Sequence, residues 1–345
     1  MLGDVLTSTI IADQLKIAHP QAHIDYLITA PAVAIVQGHP AIHAMIPVQK
    51  QEMETLGGLI TLSRKLTKNN YDLLIDAYGK NNTAMLCLLT HSPEKIGYKK
   101  WFAPVVYTKS IKNKPDFKIA FQGTSLWSRL VLTTLVDITP DWNVRPKIYL
   151  SDTERNAGRA WITSCGIDLK KNLTMIGALG SDNLKTLPAA SMVQLLDYIV
   201  QETDTQVLFN YMPSQKTQAI AIYDACTPAT QKHIFIDHYP SSIRNFLEVL
   251  SHCTAFIGNE GGGINMAKAL NIPTFSIYSP WIVKGAWNAG EDGAAHIGVH
   301  LQDYLPALYE ETTYKDIKKD TAAFYKKFTA AMMLPKLGLF LKKNY

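Results

Sequence analysis

A glycine-rich segment in the second half of the chain is the strongest candidate for chemistry. Residues 255–258 have the apolar character of a buried strand, Glu260 follows shortly after, and three consecutive glycines at 261–263 precede a helical pattern. Glycine lets backbone N–H groups approach a ligand closely, and a helix N-terminus carries partial positive charge, so the segment favours a phosphate. A plain tight turn is the alternative. The spacing fits neither GxGxxG nor a Walker loop, which argues against NAD-dependent oxidoreductases and NTPases.

Two charged residues precede predicted helices and suit group transfer. Lys185 follows the predicted strand 173–179, where its ammonium can neutralise a phosphate at the carboxyl edge of a parallel sheet; a solvated loop lysine is the alternative. Asp4 stands at the start of the first predicted helix, as a helix cap or as a general base for an acceptor hydroxyl. Because the sequence contains no D-x-D pair, we expect no metal; lysine and backbone dipoles then carry the leaving-group charge.

The composition sets bounds on the class of protein. The 345 residues are enough for two domains, and 47% hydrophobic with 18% charged residues indicates a globular chain. The net charge of +5 suits an anionic ligand or a membrane surface and does not indicate nucleic acid. The four scattered cysteines form no CxxC pair, which favours buried reduced thiols in a cytosolic protein.

Strand-like and helix-like segments alternate along the chain, which predicts an α/β fold with parallel sheets flanked by helices. We place an N-terminal domain at 1–150, a C-terminal domain at 151–325 and a basic helix or tail at 326–345. Residues 98–114 are basic and aromatic without periodicity and are predicted to form a loop. The chain enters a helical pattern at once, whereas an α/β domain normally supplies a strand first. Either the fold starts with a helix or a first strand has been lost from this sequence; we expect the loss, with the natural chain starting upstream of Met1.

Five segments, in order, resemble glycosyltransferase family 9, the bacterial ADP-heptose:lipopolysaccharide heptosyltransferases. They are Gly-Asp-Val-Leu at 3–6, Tyr-Asp-Leu-Leu-Ile-Asp at 71–76, Lys-Ile-Gly-Tyr at 95–98, the Gly-Ser…Lys…Pro segment at 180–188 and Ala-Lys-Ala-Leu-Asn-Ile-Pro-Thr at 267–274. The sequence departs from the family pattern at three points. The opening strand is absent, Asn265 replaces a histidine, and Leu187 replaces an aromatic residue.

The resemblance implies a GT-B fold, in which two Rossmann-like domains face a central cleft. The N-terminal domain would bind the acceptor and the C-terminal domain the nucleotide sugar. It further implies an inverting, metal-independent transfer of heptose from ADP-heptose to a lipid-linked lipopolysaccharide core acceptor, without a cofactor. Asp4 corresponds to the family's proposed base. The expected donor-binding residues are Ser181, Lys185, Glu260, Gly261, Gly262 and Asn265.

The location of the acceptor has consequences for the basic residues. Lys99 and Lys100 would meet the anionic acceptor, and the Lys342–Lys343 tail would favour the inner leaflet, giving a cytoplasmic protein in peripheral contact with the inner membrane. Ordinary solvated surface is the alternative for these lysines. Two other functions stay open: a nucleotide-sugar epimerase, which would convert the donor alone, and a degenerate protein that binds a nucleotide sugar without turnover.

Overall fold

The computed structural model describes residues 2–114 and 123–345. The chain forms two compact units, Met1–Lys147 and Ile148–Tyr345, so the division falls three residues before the predicted boundary. Both units are built from parallel strands and helices, which confirms the predicted α/β class.

The first unit contains seven helices and five strands among its described residues. The helices are Leu2–Ala18 (α1), Val33–Val36 (α2), Lys50–Glu54 (α3), Leu56–Thr67 (α4), Asn81–Leu89 (α5), Ala103–Val106 (α6) and Thr124–Thr133 (α7). The strands are Asp25–Thr29 (β1), Ala44–Val48 (β2), Leu73–Ile75 (β3), Glu94–Tyr98 (β4) and Lys109–Ile111 (β5).

These five strands form two separate parallel groups, β1-β2 and β3-β4-β5. Helix α1 contacts both groups: Ile11 packs with Tyr98 of β4, and the Tyr26 hydroxyl of β1 donates to the Val5 carbonyl at 3.1 Å. A second link joins the groups, because the Tyr71 hydroxyl donates to an Asp25 carboxylate oxygen at 2.6 Å. The unit therefore holds its two strand groups together through side chains.

The second unit contains eleven helices and five strands. The helices are Asp152–Ser164 (α8), Ala189–Thr203 (α9), Lys216–Ala225 (α10), Pro228–Gln231 (α11), Ile243–Leu250 (α12), Gly262–Ala269 (α13), Lys284–Trp287 (α14), Ala307–Glu310 (α15), Tyr314–Lys319 (α16), Thr321–Lys327 (α17) and Ala330–Asn344 (α18). The strands are Leu173–Gly177 (β6), Gln206–Phe209 (β7), Ala255–Asn259 (β8), Thr274–Ile277 (β9) and His296–Val299 (β10).

The strands of the second unit form one continuous parallel sheet in the order β10-β9-β8-β6-β7. Every residue of β6 and β8 is buried, as expected for parallel strands covered by helices on both faces. Helix α18, predicted as a basic helix or tail, contributes Leu337, Phe340 and Leu341 to the same core. It is therefore part of the packed unit.

The prediction of a loop over residues 98–114 is wrong, because this segment contains α6 and β5. Helix α6 has only four residues, too few to show a helical period, and it is held by Ala103 and Val106 packed in an apolar cluster with Phe102 and Tyr107. Strand β5 has three residues and, among the described strands, pairs with β4 alone. Elements this short carry no readable hydrophobic pattern.

The four cysteines are free thiols. Cys226 and Cys253 are buried, while Cys87 and Cys165 are half-buried. Burial raises the pKa of all four, and the pKa of Cys87 and of Cys226 reaches about 12. None of the four is thereby activated as a nucleophile.

Candidate active site

The first candidate group surrounds Asp4, in the first turn of α1. The Arg129 guanidinium of α7 lies 3.6 Å from a carboxylate oxygen of Asp4. Arg129 also donates to the Ala77 carbonyl at 2.6 Å and to the Tyr98 hydroxyl at 3.0 Å. Arg129 is 12% exposed and Asp4 26%, so a largely buried cation holds a carboxylate that solvent can reach. The carboxylate is thereby tied to residues at the carboxyl ends of β3 and β4.

A basic pocket shares Arg129 with this group. Its volume is about 510 Å³, and its lining consists of Tyr78, Tyr98, Lys99, Lys100, Lys112, Asn113, Lys114 and Arg129. Lysine and arginine make up five of these eight residues, and none of the eight described lining residues is acidic. Such a concentration of one sign of charge favours an anionic guest.

Asp76 shapes one wall of the pocket. It is buried, and its carboxylate accepts hydrogen bonds from the backbone N–H groups of Tyr78 and Gly79 at 3.1 and 2.7 Å. It also accepts from the hydroxyls of Thr83 at 2.9 Å and Tyr107 at 2.7 Å. These four bonds fix the turn between β3 and α5, which places the Tyr78 ring at the pocket. Asp76 is thus a positioning residue for this site.

The second candidate group lies in the other unit, at the carboxyl ends of β6 and β8. The loop after β6 is compact because Gly180 passes against the Lys185 backbone, where any Cβ would collide. The Gly180 N–H donates to the Thr186 hydroxyl at 3.0 Å, and the Gln215 amide donates to the Gly180 carbonyl at 2.8 Å. This packing orients the Lys185 side chain.

Asn259, the last residue of β8, locks the same loop in place. Its buried side chain accepts from the Leu187 N–H at 2.8 Å and donates to the carbonyls of Gly177 and Ala178 at 3.0 and 2.9 Å. Both N–H groups of the amide and one lone pair of its oxygen are thereby used within the protein. Asn259 therefore couples the loop after β6 to the end of β8, where the glycine-rich turn begins.

Lys185 and Glu260 form an ion pair at 3.0 Å from Nζ to Oε1, with side chains 21% and 9% exposed. The ammonium also lies 5.6 Å from the centre of the Trp281 ring, and Lys318 lies 4.2 Å from the same ring. The indole N–H donates to the Leu184 carbonyl at 3.0 Å. Two cations and one carboxylate thus lie at this edge of the sheet. Their net positive charge suits a phosphate group.

The glycine-rich turn adopts the geometry expected of it. Gly261 has a φ of 152°, a conformation that side-chain-bearing residues rarely adopt, and α13 begins at the next residue. Asn265 lies in the first turns of α13, is half-buried and makes no side-chain hydrogen bond within the described residues. The N–H groups at the start of α13 and the Asn265 amide are the polar groups here that suit an anion or a hydroxyl.

The candidate site residues therefore fall into two sets. Asp4, Lys99 and Lys100 lie at the carboxyl edge of the first unit, and Ser181, Lys185, Glu260, Gly261, Gly262 and Asn265 lie at that of the second. Ser181 is exposed, and its hydroxyl donates to Asp182 at 3.3 Å. Across residues 2–114 and 123–345, no cluster of three or more His, Cys, Asp or Glu could hold a metal ion.

Sequence and structure comparisons place the chain among known proteins. A model of glycosyltransferase family 9 (heptosyltransferase) matches residues 59–315. The chain belongs to glycosyltransferase family 9. No curated protein sequence gives a significant match.

Solved structures of family 9 proteins share the fold. A family 9 glycosyl transferase from Veillonella parvula aligns with a TM-score of 0.81 at 17% identity, covering 99% of this chain and 95% of that one. The E. coli heptosyltransferase WaaC with ADP aligns with a TM-score of 0.70 at 14% identity, covering 100% and 97%. E. coli ADP-heptose lps heptosyltransferase II gives 0.66 at 16%, covering 95% and 96%. The predicted GT-B class with parallel sheets is thereby confirmed.

Arg129, Asp76 and Asn259 were not among the candidate site residues, although Asp76 ends the segment 71–76 that contributes to the family resemblance. Arg129 lies 125 residues from Asp4 in the chain and is an ordinary helix residue by its pattern. Asn259 stands beside the predicted Glu260, and its position directly before a glycine-rich turn is the signal that could have drawn attention to it.

Proposed function

We propose that this family 9 glycosyltransferase transfers heptose from ADP-heptose to a lipid-linked lipopolysaccharide core acceptor, with inversion and without a metal. The separation of two sets of chemistry supports this. One unit carries a carboxylate beside a basic pocket, and the other carries a lysine beside a glycine-rich helix start. A reaction between a phosphorylated acceptor and a nucleotide sugar needs both sets.

In the proposed mechanism, Asp4 takes the proton of one acceptor hydroxyl as the general base. The hydroxyl oxygen forms a bond to the anomeric carbon, the bond from that carbon to the β-phosphate oxygen breaks, and ADP leaves with the electron pair. A single displacement of this kind inverts the anomeric configuration. Arg129 keeps the Asp4 carboxylate oriented.

The charge that develops on the leaving diphosphate is stabilised by the Lys185 ammonium and by the N–H groups at the start of α13. Glu260, Ser181 and Asn265 supply hydrogen-bonding groups for the hydroxyls of the donor. Lys99 and Lys100 bind the anionic groups of the acceptor, which the inner leaflet presents to the protein.

The deciding experiment measures ADP release from ADP-heptose, with and without a heptose-free lipopolysaccharide precursor. We expect release only when the acceptor is present. Conversion of ADP-heptose without an acceptor would instead support an epimerase, and tight donor binding without turnover in either condition would support the degenerate binder.

The role of Asp4 is tested by Asp4→Asn. Because general-base catalysis contributes about 10²- to 10⁴-fold, we expect kcat to fall by at least about 100-fold with little change in donor affinity. The matched control is Asp72→Asn, an exposed carboxylate of the same unit. Full turnover by Asp4→Asn would remove Asp4 from the mechanism.

The acceptor site is tested by replacing Lys99 and Lys100 together by Ser. We expect the acceptor KM to rise about tenfold while donor binding is unchanged, since charge-assisted hydrogen bonds to anionic groups are lost. Replacing the exposed Lys65 of α4 and Lys68, directly after α4, by Ser removes the same charge elsewhere. An acceptor KM equal in both double variants would place the acceptor outside this pocket.

A further inference from the structure

Exposed apolar side chains concentrate in one short part of the first unit. Of the twelve large apolar side chains that are exposed in the described chain, six fall between residues 78 and 105. They are Tyr78, Met85, Leu88, Leu89, Trp101 and Val105. Single exposed apolar residues are ordinary on a protein surface, whereas a group of them marks a site of interaction.

Helix α5 is apolar on the side that packs against its neighbours and also on the side that is exposed. Residues 84–89 are an unbroken apolar run. Ala84 and Cys87 pack towards α6, and Leu86 packs into the core beside α4. Met85, Leu88 and Leu89, spaced three and four residues apart, form a stripe that remains exposed. An amphipathic surface helix would carry polar residues there.

The neighbouring α6 segment continues this exposed apolar surface. Phe102, Ala103 and Val106 turn inward and pack with Ala84 of α5. Trp101 and Val105, one turn apart, turn outward and are 85% and 75% exposed. We name the surface formed by Met85, Leu88, Leu89, Trp101 and Val105 the α5–α6 face.

The chain segment that forms the α5–α6 face is rich in lysine. Residues 78–114 contain seven lysines and one acidic residue, Glu94, a net charge of +6. The whole chain has a net charge of +5, so all other residues together carry −1. The excess positive charge of the protein is therefore confined to the segment that exposes the apolar side chains.

We propose that the α5–α6 face docks on the surface of a bilayer that contains anionic lipids. Tryptophan and aliphatic side chains enter the boundary between headgroups and acyl chains, while the lysines of the same segment are attracted to the negative surface potential. Among the described residues, no helix is long and apolar enough to cross a membrane, and peripheral docking of this kind requires none.

Charge argues for a bilayer over a second copy of the chain as the occupant. A symmetric dimer through this face would bring two segments of charge +6 together, because the same patch contacts itself across a two-fold axis. Like charges at such a contact repel. An anionic lipid surface, in contrast, complements both the lysines and the apolar side chains.

The α5–α6 face is continuous with the basic pocket. Lys99 and Lys100 line the pocket and directly precede Trp101 in the chain, and the Lys100 ammonium donates to the Gly79 carbonyl beside Tyr78. A protein docked through Trp101 would thus hold the pocket close to the lipid headgroups. This consequence for the acceptor rests on the proposed function, whereas the docking itself does not.

Binding of the full chain to vesicles tests the proposal without any sugar substrate. The vesicles contain phosphatidylcholine alone or equal parts of phosphatidylcholine and phosphatidylglycerol, and flotation measures the bound fraction. We expect binding to the anionic vesicles that weakens as salt is raised. Trp101→Ser with Val105→Ser, and separately Met85→Ser with Leu88→Ser, should each weaken the partition coefficient about tenfold or more through lost apolar burial.

The matched control is Leu339→Ser in the second unit, a side chain 68% exposed, which should bind vesicles as the unaltered chain does. Circular dichroism checks that each variant is folded, and turnover on a deacylated acceptor should be unchanged. A lack of transferase activity would count against the proposed function alone and would leave the vesicle result standing.

Three outcomes would overturn the proposal. The first is failure of the unaltered chain to bind anionic vesicles. The second is equal vesicle binding by the folded double variants and the unaltered chain, which would assign docking to another surface. The third is a dimer in solution that Trp101→Ser dissociates, which would make the face a contact between copies of the chain.

Discussion

The two units use the same succession of strands, but only the second has a continuous sheet. There β6 pairs with β7 on one side and with β8 on the other, and Ile234 forms a single bridge beyond β7. Counted in chain order, β1 and β2 of the first unit match β7 and that bridge, and β3-β4-β5 match β8-β9-β10. No strand among residues 2–114 and 123–147 takes the place that β6 has in the second unit.

This difference changes how each unit positions its chemical groups. In the second unit, Lys185 sits on a loop that leaves a fully buried strand and is bonded by Asn259 to the end of the neighbouring strand. In the first unit, Asp4 lies at the start of α1 and is held by an ion pair with Arg129. The strands β1 and β3 are mainly half-buried. The first unit should therefore be the one whose geometry responds more to small changes.

The sharpest test of this comparison supplies a strand to the first unit. An engineered extension of five apolar residues ahead of Met1, matching β6 in length, should pair with β1 and β3. We expect the first unit to gain about 5 kcal/mol in unfolding free energy, the excess of apolar burial and hydrogen bonding over conformational entropy.

Denaturant unfolding and hydrogen exchange at β1 and β3 measure this gain. A Gly-Ser extension of the same length is the control. If both extensions protect the β1 and β3 amides equally, the correspondence between the two sheets is wrong.

Arg129→Met tests whether one arginine positions Asp4. We expect kcat to fall about 100-fold because a misplaced base no longer meets its proton, with donor KM unchanged. Arg129→Lys should restore part of the loss, and Arg64→Met, an exposed arginine of α4, should have no effect. An equal loss in donor binding and kcat would indicate general disruption of the unit.

The smallest expected effect concerns an ion pair of the second unit. Arg244 makes two hydrogen bonds to the Glu154 carboxylate, at 2.7 and 2.9 Å, and donates to the Tyr149 carbonyl at 2.7 Å. Chiefly the bond from Arg244 lowers the pKa of Glu154 from 4.5 to about 2. The folded-state pKa is depressed, so the pair stabilises the fold above pH 4.5, and this contribution is lost as the pH falls towards 2.

We expect Glu154→Gln to reduce the unfolding free energy by about 1 to 2 kcal/mol at pH 7, with the difference disappearing in acid. Glu54→Gln in the first unit removes an exposed pair with Lys50, whose atoms lie 3.5 Å apart, and should change it by less than about 0.5 kcal/mol. Denaturant unfolding over a pH series measures both. A Glu154→Gln effect independent of pH would contradict the assigned pKa.

The sequence predicted those features whose causes are local. The strand into Glu260, the glycine turn and α13 are neighbours in the chain, so apolar run, glycine and helix start can be interpreted together. The placement of Lys185 after β6 followed from the same reasoning. Elements as short as α6 and β5 could not be predicted, because they are stabilised by packing with Ala84 and pairing with β4.

Contacts between residues that lie far apart in the chain could not be predicted from the sequence either. Lys185 and Glu260 were each predicted to bind the donor, but no pattern in the amino-acid sequence indicates that their side chains pair with each other. Arg129 reaches Asp4 only because α1 and α7 pack together. Such partners depend on tertiary packing, to which periodicity and local motifs are insensitive.

The pairing of Lys185 with Glu260 has a consequence for competition among cellular anions. An incoming anion must draw the ammonium away from a carboxylate 3.0 Å distant, which costs electrostatic energy. Inorganic phosphate would recover little of that cost from its few contacts, whereas a diphosphate joined to a sugar and a nucleoside brings many further contacts. If Lys185 binds the donor as proposed, Glu260 would compete with small anions for the ammonium and would favour the larger ligand.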